Sequence, residues 1–461
     1  MAAIYEDDVE CCEDFHIEET GTSTIDLAPI VEKMLSTTEG NMIHLAIILG
    51  EPNWHYRLAW MPDTPALQHA YYGNTTELAN GLKPNDVYKF LDLMPLILRE
   101  RLGTLTLHNI LTRPELSSFL PTCTSLTKMF THRVGYKDGL SPIMKALDNK
   151  LKHLYLSNDS FKLDDFTQAI ATSKIKKLSL DDICLAQCEF YMKPGFGNDN
   201  HSHPEEKDYK SLTEALHLAD LTHLSLKESE KSTSILRALF ESVCPTLNHL
   251  TIHPNPPYAV EYPKEITTSF VKFMSACHSI EKIVIPHKLI CGLDGIGSYL
   301  AECKTLQEIS IDIENFLDNK DEENTLNELV NIVKNVKQLR ILKIQRELSH
   351  YSITEAPPYP KFLSYSNIIR ALKDNTTMEE FHCSVHCRAD IDELMKVIPK
   401  TKLNVANVGY QYLHPNPKYE GTLDEYFQET TNDFKDSKLT EDNYQEMINT
   451  VLNQRTKIVI G

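Results

Sequence analysis

One short arrangement of apolar and polar positions returns along the chain: apolar, two variable, apolar, one variable, apolar. It is clearest in LGTLTL (102–107), LKHLYL (151–156), IKKLSL (175–180), LTHLSL (221–226) and LNHLTI (247–252). It continues in IEKIVI (280–285), LQEISI (306–311), LRILKI (339–344) and MEEFHC (378–383). Weaker copies are MIHLAI (42–47), LTKMFT (126–131), KTKLNV (400–405) and RTKIVI (455–460). Starts at 102, 126, 151 and 175 lie 24 to 25 residues apart, and those at 221, 247, 280, 306 and 339 are spaced by 26 or 33. The alternation at the end of each copy has the period of a strand.

Between the strands the period lengthens to that of a helix. LDDFTQAIATS (163–173) sets Leu163, Phe166 and Ile170 on one face. STSILRALFESV (232–243), ITTSFVKFMSAC (266–277), LNELVNIVKNV (326–336) and SNIIRALKDN (366–375) behave alike. Several of these segments open with Ser, Thr, Asp or Asn, the residues expected to cap a helix. A strand and a helix in about 25 residues cannot bury their own apolar faces, so the units must stack on one another.

This order resembles the leucine-rich repeat family, in the ribonuclease-inhibitor-like class that has a helix in every repeat. NIIRALKDNTTMEEFHCS (367–384) carries the likeness most fully: helix, polar turn, then strand. The resemblance spans roughly residues 100 to 405. It implies an α/β solenoid, a horseshoe with parallel strands on the concave side and helices on the convex side. One feature departs from the family. Its asparagine after the strand is found cleanly only at Asn255, with Asn158, Asp182 and Asn109 as stand-ins, so the turns are expected to be less regular.

The organisation expected from this is an acidic, partly flexible segment over 1–40, with a short helix near 25–36. A capping region with a first irregular repeat follows over 41–100, then the solenoid over 101–405. An insertion loop, a last helix and a C-terminal cap fill 406–461. The helix NDVYKFLDLMPLILRE (85–100) is placed to close the N-terminal end of the core.

Composition narrows the function. The chain has 461 residues, 41% hydrophobic and 24% charged, as in a soluble folded protein. No apolar run is long enough to span a bilayer, and the N-terminus has neither the basic nor the apolar region of a Sec signal. The 11 cysteines show no framework spacing and read as free thiols in a reducing compartment, which points to the cytoplasm. A net charge of −19 argues against nucleic acid as a partner. The 16 glycines form no phosphate-binding loop, and no catalytic motif of the hydrolase, metalloprotease or kinase kinds is present.

Three local clusters invite chemistry. FHCSVHCRAD (381–390) holds His382, Cys383, His386 and Cys387, the ligand types of a zinc site. Within the repeat, however, Phe381 and Cys383 take core positions while His382 faces the other way, so the four cannot easily converge. Asp199, His201 and His203 in DNHSH lack a fourth ligand. Cys12 and Asp14 in CCED match the Cys-x-Asp motif of bacterial leucine-rich-repeat ubiquitin ligases, but no helical catalytic domain surrounds them and their acidic neighbours disfavour a thiolate. The expectation is therefore no catalytic residue, no metal and no cofactor.

The repeat register gives each wall residue a direction. The fourth and sixth positions point into the core; the third, the fifth and the next residue point to the concave face. The middle of that wall reads His153, Tyr155, Lys177, His223, Lys227, His249 and His253, with Asp181 as its only acid. Four extended connections (181–211, 253–264, 346–363 and 407–420) leave the strand ends on one edge and carry Tyr258, Tyr262, Tyr359 and Tyr412 among prolines. Tyrosine between prolines offers contact area at low entropic cost. These eleven residues are the candidate contacts of a protein partner with an acidic patch, bound by a monomeric, non-enzymatic scaffold.

The Asn/Lys/Ile-rich composition and the LKDNTT style of repeat also look like leucine-rich-repeat effectors of intracellular bacteria such as Legionella. That resemblance implies transfer into a host cytosol without a cleaved signal. The alternative class is a substrate-recognition adaptor of a ubiquitin ligase or another multi-protein enzyme assembly.

Overall fold

The computed structural model describes residues 12–19, 31–32, 35, 42–49, 84–108, 110, 112–136, 138–181, 183–186, 209–227, 233–242, 244–253, 262, 264–291, 295–313, 319–346, 365–384, 388–403, 405–409 and 457–460. Two compact units divide the chain: Met1–Leu224 with Lys231–Ala238, and Ser225–Glu230 with Leu239–Gly461.

In the first unit parallel strands follow one another in chain order. They are β1 (Cys12–Glu19), β2 (Met42–Leu49), β3 (Leu102–His108), β4 (Lys128–His132) and β5 (His153–Ser157). A two-stranded side ladder pairs β6 (Ser160–Lys162) with β8 (Cys184–Ala186), and β7 (Lys177–Asp181) continues the main sheet beside β5. β9 (His223–Lys227) is next in the chain, and the division between the two units falls within it. The register aligns the expected core positions: Leu105, Met129, Leu154 and Leu178 form one row, and Leu107, Thr131, Leu156 and Leu180 the next. All eight are buried.

The second unit repeats the plan. Its strands β10 (His249–His253), β11 (Lys282–Pro286), β12 (Glu308–Ile313), β13 (Ile341–Arg346), β14 (Glu380–Ser384), β15 (Val405–Gly409) and β16 (Lys457–Ile460) pair in parallel, each with the next. One core row reads Leu250, Ile283, Ile309, Leu342 and Phe381, and its backbone register continues to Ala406 and Ile458. Helices connect the strands and pack on each other in chain order within each unit. The helix Leu163–Thr172 buries Leu163, Phe166, Ala169 and Ile170, the stripe read from its sequence. Each leucine withdrawn from water in such a row is worth about 1.5–3 kcal/mol. Each unit is thus a leucine-rich-repeat α/β solenoid.

Several expectations shift. β1 lies in the segment read as acidic and partly flexible; Phe15 and Ile17 alternate there with Asp14, His16 and Glu18, which is strand patterning. The copy expected at 400–405 opens three residues later. Its strand is Val405–Gly409, so the true copy is LNVANV (403–408), with Ala406 and Val408 paired to Phe381 and Cys383. The helix expected at 326–336 begins at Asn319, because NKDEEN carries good helix formers without an apolar period. β6 and β8 carry no repeat copy and were not expected.

The expected Ser/Thr/Asp/Asn caps are replaced. Among the described helix starts whose caps are defined, none has a side-chain cap of its own. Carboxylates from the following helix do this work instead. Asp165 accepts hydrogen bonds from the backbone N–H groups of Leu140 (2.5 Å) and Ser141 (3.2 Å), at the start of the helix Ser141–Ala146. Asp390 accepts from the Tyr365 N–H (3.0 Å) and the Ser366 hydroxyl (2.6 Å), and Glu328 from the Gly295 N–H (3.0 Å). Stacking brings each acid over its neighbour's orphan donors, where the helix dipole also favours it. Gly139 makes room for one of these contacts: its φ is 86°, and a Cβ there would lie 2.5 Å from Asp165 Oδ1. Asp390 is fully buried, and Asp390→Ala removes its bonds to the Tyr365 N–H and the Ser366 hydroxyl; a stability loss of about 2 kcal/mol is expected, read as a shift of the urea midpoint. A shift equivalent to less than about 0.5 kcal/mol would rule out the capping role.

A second ladder crosses the turns that enter the strands. The short signature Cys/Asn-x-Ser/Thr-apolar recurs at Cys244, Cys277, Cys303 and Asn375. The Cys303 thiol donates to the carbonyls of Cys277 and Ile280, both at 3.5 Å. Asn375 makes the equivalent bonds more strongly, donating to Val333 O (3.1 Å) and Val336 O (3.2 Å) and accepting from the N–H groups of Thr377 and Met378 at 3.0 Å. The hydroxyl two positions on reaches back to the previous repeat: Ser279 to Leu247 O (2.9 Å), Thr305 to Ile280 O (2.7 Å) and Thr377 to Leu339 O (3.0 Å). In these repeats the turn before the strand carries the side-chain ladder that the family resemblance had placed after it. Burial pushes the Cys123 and Cys277 thiols up to about 12, so they act as small core groups with weak donors.

Candidate functional site

Wall side chains of the first unit divide into a closed stretch and an open one. At β3 to β5 most of the wall is buried: Thr106, His108, Phe130, His132, Tyr155 and Ser157 are nearly inaccessible, while Thr104 and His153 are half-buried and Lys128 is exposed. His44 bonds Thr106 Oγ1 at 3.0 Å, and the His108 and His132 rings stack with centroids 4.8 Å apart. The Nδ1 atom of His132 lies 3.0 Å from Ser157 Oγ, and both Ser157 (3.1 Å) and Tyr155 (3.0 Å) donate to Asp181 Oδ2. Serine stands between acid and imidazole here, the reverse of the order in which an acid–histidine pair activates a nucleophile.

One layer deeper, Asp159 is 1% exposed and accepts from the Thr131 hydroxyl (2.6 Å) and the Val134 N–H (2.7 Å). Tyr136 donates to Thr131 at 2.9 Å. Burial pushes the Asp159 carboxyl up to about 7 despite those bonds, and burial with the Asp159 charge raises the Tyr136 phenol well above its ordinary value. Asp159 serves the hydroxyl that Thr131 places in a core row.

The open stretch follows. β7, β9 and β10 alternate strictly, with core positions buried and wall positions accessible. In the first unit Lys177, Ser179, Asp181 and His223 are half-buried. In the second, Lys227 and His249 are half-buried and His253 is exposed. Of the other candidates, His153 is half-buried and meets the Phe130 ring edge-on at 5.4 Å, whereas Tyr155 is 7% exposed with its phenol raised by burial and by Asp181. Tyr155 therefore contributes to the wall by orienting Asp181. His223 Nδ1 lies 2.9 Å from Thr222 Oγ1. Tyr262 is half-buried. Tyr258, Tyr359 and Tyr412 lie outside the described residues, as do Asp199, His201 and His203.

Further into the second unit the wall carries balanced charge. Lys282 (3.2 Å) and Lys343 (2.8 Å) share Glu308 Oε1. Burial would raise Glu308, but the Lys343 hydrogen bond and the Lys282 charge outweigh it and hold the carboxyl below its ordinary value. His253 Nδ1 sits 3.3 Å from the buried Asp312. His287 is 1% exposed, and burial, with Lys288 beside it, pushes its imidazole down to about 4, so it stays neutral at physiological pH. His382 bonds Glu380 at 3.1 Å, and Cys383 is a buried core thiol. His386 and Cys387 lie outside the described residues. Among the described residues no three His, Cys, Asp or Glu side chains are grouped to hold a metal. No described helix is long and apolar enough to cross a membrane.

Sequence reasoning missed the polar chain from His108 to Asp181, because Tyr155 and Ser157 read as exposed wall residues. The signal available was the polar intruder Thr131 at a core position, with an acid, Asp159, just past the next strand.

No family model matches the chain, and no curated protein does. Solved structures are similar at low identity. A leucine-rich repeat-containing protein, LegL7, from Legionella pneumophila has 12% identity and a TM-score of 0.39, over 78% of this chain and 97% of that one. A yeast complex of Rad7 and Elc1 contains a chain with 12% identity and a TM-score of 0.39, over 75% of this chain and 90% of that one. A protein from Bacteroides fragilis has 10% identity and a TM-score of 0.28, over 58% and 75%. The fold itself is established by this chain's own register: parallel strands of one recurring motif, aligned core to core and joined by helices, on the leucine-rich-repeat plan.

Proposed function

We propose that the chain is a non-enzymatic scaffold that holds a partner protein on the accessible wall positions of its repeats, in each unit by itself. The observation that carries this is the alternation at β7, β9 and β10, where every wall position is accessible while its neighbours are buried. The candidate contacts are His153, Lys177 and His223 in the first unit and Lys227, His249 and His253 in the second. Asp181, the acid among them, is already bound by Tyr155 and Ser157. Cationic and proton-binding side chains on a chain of net charge −19 suit a partner with an acidic patch. Tyr258, Tyr262, Tyr359 and Tyr412 are proposed as edge contacts of the same partner. The likeness of the repeats to effectors of intracellular bacteria extends this reading to a host protein.

The test compares the full chain with a variant carrying Lys177→Glu, Lys227→Glu, His223→Ala and His249→Ala. A partner isolated with the wild-type chain is expected to bind the variant at least about tenfold more weakly, since several contacts of roughly 0.5–1 kcal/mol are lost or reversed. Unchanged affinity removes the wall from the site.

A further inference from the structure

In the first unit the turns that enter three consecutive strands carry charge of nearly one sign. TCTSLTK (122–128) leads into β4, LDNKLKH (147–153) into β5 and TSKIKK (172–177) into β7. They hold Lys128, Lys150, Lys152, Lys174, Lys176 and Lys177, against the single acid Asp148. Lys176 pairs with Asp220, and Lys150 reaches the Pro121 carbonyl at 3.4 Å. Lys128, Lys152 and Lys174 are exposed, and their side chains make no ion pair or hydrogen bond among the described residues. The register Lys128, His153, Lys177 sets these turns side by side, so the three rows fit within about 10 Å.

This charge is not a general feature of the turn. The equivalent turns in the second unit mix both signs, with Glu281 and Lys282, then Glu302, Lys304 and Glu308, then Lys337 and Arg340, then Asp374, Glu379 and Glu380, and Arg340 and Glu379 are paired there. The edge is also the opposite one from the extended connections, which leave the strand ends. On a chain of net charge −19, three unpaired lysines in adjacent rows form a local site of reversed sign.

We infer that the strand-entry edge of the first unit, centred on Lys128, Lys152 and Lys174, is a docking surface for an acidic polypeptide segment. The chemistry of the rows selects that partner class. They contain no arginine to grip phosphate with two parallel hydrogen bonds, and no Phe, Tyr or Trp ring on which a base stacks. Flexible ammonium point charges, in rows about 4.8 Å apart, match carboxylates spread along an extended chain. This surface is centred on Lys128, Lys152 and Lys174, none of which is a candidate contact of the open wall; Lys177 alone belongs to both.

The experiment measures binding of a fluorescein-labelled oligoglutamate peptide to the full chain at low and moderate salt. One variant carries Lys128→Glu, Lys152→Glu and Lys174→Glu; a second carries Gln at the same three positions; a third carries His223→Ala and His249→Ala. The expected result is salt-sensitive binding, weakened tenfold or more by the Glu variant, less by the Gln variant and under twofold by the His variant. The inference is overturned if the chain does not bind the peptide, or if the Glu variant binds equally well. It is also overturned if duplex DNA or phosphatidylinositol bisphosphate vesicles bind those lysines more tightly than the peptide does. Loss of binding in the His variant alone would move the acidic segment to the wall.

Discussion

Replacing Asp159 with asparagine is expected to make the protein more stable above neutral pH. Asp159 is buried, and its carboxyl titrates near 7 in the folded chain against 3.8 when unfolded. Between those values the folded state binds a proton that the unfolded state has released. The stability from this group is therefore full below about pH 4 and is lost as pH rises through about 7. The rise from 3.8 to about 7 corresponds to about 4 kcal/mol. The introduced amide would mimic the protonated acid: its oxygen accepts from the Val134 N–H, its NH2 group donates to Thr131 Oγ1, and the Thr131 hydroxyl turns to the Tyr155 carbonyl 3.4 Å away. Urea midpoints of both chains between pH 4.5 and 8.5 test this, because all other titrating groups cancel in the difference. The two curves should separate as pH rises, with the variant above. Parallel curves would show that Asp159 ionises as an exposed acid does.

The second large effect is expected at Asn375. It is 1% exposed, donates to two carbonyls of the preceding repeat and accepts from two amides of its own turn. Asn375→Ala removes all four bonds; Val336 O keeps the Leu339 N–H at 3.1 Å and the exposed Thr377 N–H can turn to water, so the loss is about 2 kcal/mol, carried mainly by Val333 O and the Met378 N–H. Asn375→Cys should recover part of that loss, since Cys303 fills the equivalent place with a thiol that donates to Cys277 O and Ile280 O. Urea midpoints give the energies, and hydrogen exchange at the Thr377 and Met378 amides localises them. If Ala and Cys cost the same, the ladder contributes only by filling space.

Much of the fold was legible because its cause is local. Leu105, Leu154 and Leu178 must each leave water, and a strand alternates with period two, so the repeat shows its inward face directly. The copy expected at 400–405 was misplaced by three residues because Leu403 serves as its first apolar position while Ala406, a weak hydrophobe, stands fourth. The caps were misread for a different reason. Asp165 and Asp390 lie 24 residues from the helix starts they serve, and only stacking brings them there.

The site was legible in part. Register alone placed Lys177, His223, His249 and His253 on accessible wall positions, and resolved the cluster around His382 into one core thiol and one wall histidine. It could not show that Tyr155 is buried, or that Lys282 and Lys343 are both held by Glu308. Those outcomes depend on side chains from residues 26 to 35 positions apart meeting at one atom.

The sequence by itself determined the repeat, its parallel strand order and the inward set of side chains, because hydrophobic burial acts residue by residue along a fixed period. Only the tertiary structure decided which polar groups are free. Hydrogen bonds and ion pairs are short-ranged and directional, so Asp159, Asn375, Asp390 and Glu308 acquire their roles from the neighbouring repeat rather than from their own.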